Sequence, residues 1–86
     1  MADELQTIPG IGPSMSQDLR DLGIYKVEDL VGQDPERMFK RLRLMHDINM
    51  DRCVLYVFRC AVYYATEQQP EPELLKWWNW KDRTLN

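Results

Sequence analysis

The chain has 86 residues, enough for one domain to bury a core without disulfides or metals. Hydrophobic residues make up 44% and charged ones 29%, which excludes a disordered chain, and the longest apolar run, six residues, falls far short of the ~20 a membrane helix needs. With 11 Lys and Arg against 14 Asp and Glu the net charge is −3, so a broad basic surface is excluded and any phosphate contact has to be local and weak.

Met1-Ala2-Asp3-Glu4 is acidic and lacks the basic and apolar regions of a signal peptide, from which a cytoplasmic location is expected. Residues 3–7 read as a short first helix, with Leu5 and Ile8 apolar. Ile8-Pro9-Gly10-Ile11-Gly12-Pro13 cannot continue it, because proline removes a donor and restricts its predecessor while glycine reaches positive φ without steric cost. The segment reads as a hairpin, and Pro13 suits the first position of a second helix over 14–22. Met15, Leu19 and Leu22 lie on its inner face, and Gly23 ends it. Ile11 is expected to turn inward as a plug, leaving the amides of Gly10, Gly12, Ser14 and Met15 facing outward as an anion site. The alternative is a tight turn with no ligand.

The run Leu5-x-x-Ile8-Pro9-Gly10-Ile11-Gly12, followed by Leu19, Leu22, Gly23 and Ile24, resembles the helix-hairpin-helix motif of DNA repair and replication proteins. The resemblance implies that backbone amides of Gly10, Ile11, Gly12 and Ser14 grip the phosphodiester backbone without reading sequence. The Lys or Arg that often follows the second hairpin glycine in that family is replaced here by Pro13, Ser14 and Met15.

The pattern recurs. Val27-x-x-Leu30-Val31-Gly32-Gln33-Asp34-Pro35 aligns with the first hairpin at an offset of 22, with Gly32 on Gly10 and Pro35 on Pro13. Asp34 replaces Gly12 and suits the N-cap of the next helix. Its carboxylate would occupy the amides a phosphate needs, so the second hairpin is expected to be structural. The helix after it carries Arg37, Lys40, Arg41 and Arg43 opposite Met38, Leu42 and Met45. This reads either as a solvated face suited to the helix dipole or as a second phosphate contact, with Lys40 and Arg41 as auxiliary cations.

His46-Asp47-Ile48-Asn49 reads as a loop with Asn49 as the next cap, and no nucleophile accompanies the single histidine. Residues 51–68 are the longest element, read as a helix because no second strand exists to pair with it. Residues 54, 57, 58, 61 and 65 make its apolar face. Arg52, Tyr56, Arg59 and Tyr63 make a stripe that is either the margin of a core helix or a stacking surface. Cys53 and Cys60, seven apart on one helix, stand ~10.5 Å apart in rise and are expected to be free, buried thiols. No metal-ligand spacing or cofactor motif is present. After a stiff polar connector, 68–73, all three tryptophans fall at Trp77, Trp78 and Trp80. Leu74, Leu75 and part of this cluster are expected to clamp the long helix; the rival roles are partner binding and base stacking.

Residues 51–65 together with Pro72-Glu73-Leu74-Leu75-Lys76-Trp77-Trp78-Asn79-Trp80-Lys81-Asp82 resemble the small bacterial pathogenicity-locus family, whose members are sometimes labelled mitomycin resistance proteins. The resemblance implies a helix-hairpin-helix domain. The whole reads as one all-α domain, 1–86, of about five helices. A tandem helix-hairpin-helix, SAM-like half (1–45) packs on a long helix (46–69), closed by a Trp-rich clasp (70–86). The expected function is weak, sequence-independent DNA binding, accessory to DNA repair or damage tolerance, with a SAM-like protein-interaction module as the alternative. No enzyme is expected: the sequence offers no nucleophile–base pair and no carboxylate cluster.

Overall fold

The computed structural model describes residues 4–46 and 49–85, and every regular element among them is helical. Asp3, the expected start of the first helix, and Asp47 and Ile48 of the expected loop lie outside the described residues. Three α-helices form: α1 (Pro13–Asp21), α2 (Pro35–Met45) and α3 (Cys53–Thr66). Four single-turn 3-10 helices accompany them, at Glu4–Thr7, Val27–Leu30, Pro72–Leu75 and Trp77–Trp80. This corrects the expected count of about five helices. The stretches before both hairpins are cut within a few residues by Pro9 and Gly10 or by Gly32, and one turn does not offset α-helix nucleation, so it closes with tighter bonds instead.

The offset of 22 in sequence is a repeat of hydrogen bonds in space. Ile11 N–H donates to the Ile8 carbonyl at 3.1 Å, and Gln33 N–H donates to the Leu30 carbonyl at 3.1 Å. Gly10 and Gly32 occupy the same left-handed region, at φ +86° and +82°. Val31, at φ −63° and ψ 125°, makes the second loop a type II turn, which demands that glycine. Pro13 and Pro35 each open the following α-helix. Glu4 joins the two repeats, its Oε2 accepting from Val27 N–H at 2.7 Å.

Leu5, Ile8, Ile11, Leu19 and Leu22 of the first repeat, and Leu30, Met38, Phe39 and Leu42 of the second, share one buried core with Leu55, Phe58, Ala61 and Val62 of α3. Helix α3 is the centre, packed on by α2, by the second 3-10 turn and by both turns of the tail. Its burial is therefore wider than the expected face at 54, 57, 58, 61 and 65: every residue from Val57 to Val62 is buried, while Val54 and Ala65 are only partly so. Its first amide, that of Cys53, is taken by Asp51 Oδ1 at 2.9 Å, two residues later than the cap expected at Asn49. Cys60 is fully buried, but Cys53 is only half-buried, which corrects the expectation for that thiol.

The tail closes over the far side of α3. Trp80 is fully buried with Cys60 and Leu74, its indole N–H donating to the Leu74 carbonyl at 2.8 Å. Arg59 is the one buried charge among the described residues. Its Nε and Nη2 donate to Glu36 Oε1 of α2 at 2.8 and 2.7 Å, and its Nη1 donates to the Trp80 carbonyl at 2.8 Å. The guanidinium thus fastens α2, α3 and the tail together. Tyr63, next on the same stripe, stacks obliquely on Trp80 and accepts from Glu71 N–H at 2.9 Å. These two residues of the stripe belong to the core margin.

Candidate nucleic-acid interface

The first hairpin leaves a set of donors without a partner. The amides of Gly10, Gly12, Ser14 and Met15 meet no acceptor among the described residues, whereas Ser16 N–H already closes the first helical bond on the Gly12 carbonyl at 2.9 Å. Ile11 differs from the other expected donors. Its side chain is buried as the plug, and its amide is spent inside the turn on Ile8, so it offers nothing outward. Gly12 lies at φ −100° and ψ −171°, extended backbone that any residue adopts, and a Cβ there would meet nothing within 4 Å. Neither torsion nor packing requires glycine at this position. Its effect is to leave the start of α1 without a side chain that could accept from the Ser14 or Met15 amide.

The second repeat has the same amides with the seat filled. Asp34 stands where Gly12 does, and its Oδ1 accepts from Glu36 N–H at 3.0 Å. Glu36 is the residue 22 beyond Ser14, so a carboxylate oxygen occupies in α2 the place left open in α1. Asp34 is a side-chain cap of ordinary chemistry; α1 has no side-chain cap.

Lys40 and Arg41 are both solvent-exposed on α2. They stand on a different element from the hairpin: helix α2 packs on α3, and α1 packs on the first 3-10 turn. The direct tie between the ends of α1 and α2 is a contact sequence reasoning missed: His46 Nε2 lies 2.9 Å from Asp21 Oδ2. Asp21 also accepts from the Gln17 side chain at 3.0 Å, and that bond, with the His46 contact, holds its carboxyl below the usual range. Partial burial instead pushes Asp18 up. Asp18, Asp21 and His46 each bring one ligand atom within 4.8 Å of the others, a constellation invisible in the sequence because 25 residues separate Asp21 from His46.

Beside the hairpin stands the tail. A Cβ on Gly10 would lie 3.1 Å from Trp77 Cδ1. Trp77 is half-buried and meets Trp78 edge to face, with ring centres 5.7 Å apart at 85°. Trp78 is 56% exposed. The tryptophan cluster therefore divides, with Trp80 inside, Trp77 against the hairpin and Trp78 in solvent.

Fold and hairpin together define a small all-helical protein built on an internal repeat, one copy of which presents open helix-start amides. The chain belongs to the Cdd1 pathogenicity-locus family, whose model matches residues 1–85. No curated protein and no solved structure matches it.

Proposed function

We propose that this protein binds the DNA backbone without reading sequence, through a helix-hairpin-helix module whose working hairpin is the first. Its role is accessory to DNA repair or damage tolerance. The observation that carries this reading is the contrast between the repeats: Asp34 Oδ1 sits on the Glu36 amide, while the equivalent Ser14 amide has no acceptor among the described residues and Gly12 has no side chain to supply one. An anionic oxygen is the natural partner of that amide, because donors at a helix start and the helix dipole both favour negative charge. A phosphate oxygen at Gly12, Ser14 and Met15 would do from outside what Asp34 does from within. Gly10 supplies a further outward amide, and Lys40 and Arg41 serve as auxiliary cations.

The test is a titration of duplex DNA at several salt concentrations. Neutralising roughly 2–4 phosphates gives a log–log salt slope of about −2 to −4, with affinity no tighter than ~10⁻⁴–10⁻⁶ M at physiological salt. Gly12→Asp should abolish binding and leave the helical signal intact, since the position accepts a side chain. Wild-type protein that leaves DNA unbound even at low salt would reduce the hairpin to a turn, and the SAM-like protein-interaction module would take its place.

A further inference from the structure

We infer that the recess between the start of α3 and the tail receives an unstacked nucleobase, so that the protein favours single strands, ends or gaps over intact duplex; this rests on the DNA-binding reading of the hairpin. The recess has a volume of about 410 Å³ and is walled by Arg52, Cys53, Tyr56, Trp77, Trp78 and Lys81. Asp51 also borders it, but its carboxylate is engaged with the Cys53 amide at 2.9 Å. Three aromatic side chains thus surround one opening, and two exposed cations edge it.

Two features select the occupant. The walls suit a flat aromatic group: the edge-to-face pair of Trp77 and Trp78 makes a corner with indole surface open to solvent. Arg52 and Lys81 suit an anion beside that group. A nucleotide unit combines both, and base stacking on an aromatic side chain is tolerant of sequence. The second feature is continuity. Trp77 is the shared wall, lining the recess and touching Gly10 of the hairpin. A strand whose phosphate rests on the hairpin amides would have its neighbouring base beside this indole. In duplex DNA the bases are stacked and paired, so only a freed base enters.

The experiment compares an oligo-dT strand with a blunt duplex of equal length, using wild type, Trp78→Ala, Trp78→Phe and Gly12→Asp. Because Trp78 is exposed, its variants should keep the wild-type melting temperature. Wild type should bind the single strand more tightly than the duplex, with quenching of tryptophan emission. Trp78→Ala should lose roughly 5- to 150-fold on oligo-dT, scaled from the stacking contribution of one base, with duplex affinity unchanged, and Trp78→Phe should recover most of it. Oligo-dT should also slow alkylation of Cys53, which lines the recess. Equal loss on both DNAs in Trp78→Ala, or no loss on either, overturns the recess while the hairpin reading stands on its Gly12→Asp result. Failure of wild type to bind either DNA overturns both. Cys53 protected by an acidic peptide but not by oligo-dT would make the recess a protein-docking site and overturn the inference.

Discussion

Trp77 lies against Gly10, so close that a methyl group on this glycine would stand 3.1 Å from the indole Cδ1. The hairpin and the C-terminal tail are therefore one surface, although 67 residues separate the two in sequence. Gly10 is constrained twice, by its left-handed torsion and by the ring. Gly32 shares the torsion, but a Cβ there meets nothing within 4 Å.

That difference isolates the contact. Gly32→Ala should cost ~1–2 kcal/mol, the strain of a side chain in the left-handed region. Gly10→Ala should cost measurably more, and the excess should vanish in a Trp77→Ala background, as a double-mutant cycle by urea denaturation would read. Equal costs for the two glycines in wild-type background would show that the indole yields freely.

The tryptophans should separate in stability as they do in burial. Trp80→Ala removes a fully buried indole and its hydrogen bond to Leu74, and should destabilise by ~3–5 kcal/mol. Trp78→Ala removes an exposed one and should stay within ~0.5 kcal/mol of wild type. Denaturant midpoints check both, and a soluble quencher should reach Trp78 first.

How the tail packs was only partly legible. Leu74 and a share of the tryptophans were readable as core from their apolar mass alone. Which tryptophan goes where was not, because each is placed by residues distant in sequence: Trp77 by Gly10 of the hairpin and Trp80 by Cys60 and Tyr63 of α3. The hairpins were legible because Pro and Gly punctuate backbone torsion directly, and the repeat at 22 residues tied one to the other. The full burial of α3 was not, since residues such as Leu55 and Val62 are covered by elements distant in sequence. Nor were the partners of Arg59, where Glu36 stands 23 residues before it and the Trp80 carbonyl 21 after. Ile11 was readable as a buried plug but not as a donor whose amide is spent in its own turn.

Burial pushes the Cys60 thiol up from its ordinary 9.0 to about 11. The folded chain then holds this proton where the unfolded chain releases it. Stability from this group is complete below pH 9 and is lost as pH rises from 9 towards 11. At neutral pH the thiolate fraction falls roughly 100-fold, so a thiol reagent should modify Cys60 only as the protein unfolds. Peptide mapping after brief labelling checks this, with half-buried Cys53 modified ahead of Cys60. Prompt native-state labelling of Cys60 would contradict its burial.

The reciprocal of Gly12→Asp is the sharper test of the hairpin. Asp34→Gly withdraws the oxygen now resting on the Glu36 amide and turns the second hairpin into a copy of the first. Glycine is itself tolerated at an N-cap, so the change should cost only a few tenths of a kcal/mol. If open helix-start amides are what hold DNA, the variant gains a second seat, and its salt slope should steepen by about one unit. Removing a carboxylate also moves the net charge from −3 to −2, which favours DNA in general. Glu67→Gln, an exposed position just past the end of α3 and beside Gly32 and Gln33 of the second hairpin, makes the same charge change without freeing a helix-start amide and serves as the control. Asp34→Gly should bind duplex more tightly than Glu67→Gln at every salt concentration, and Asp34→Asn, which keeps a capping oxygen, should not. Identical isotherms for Asp34→Gly and Glu67→Gln would mean that charge alone governs binding and that the vacant amides of the first hairpin are not the seat.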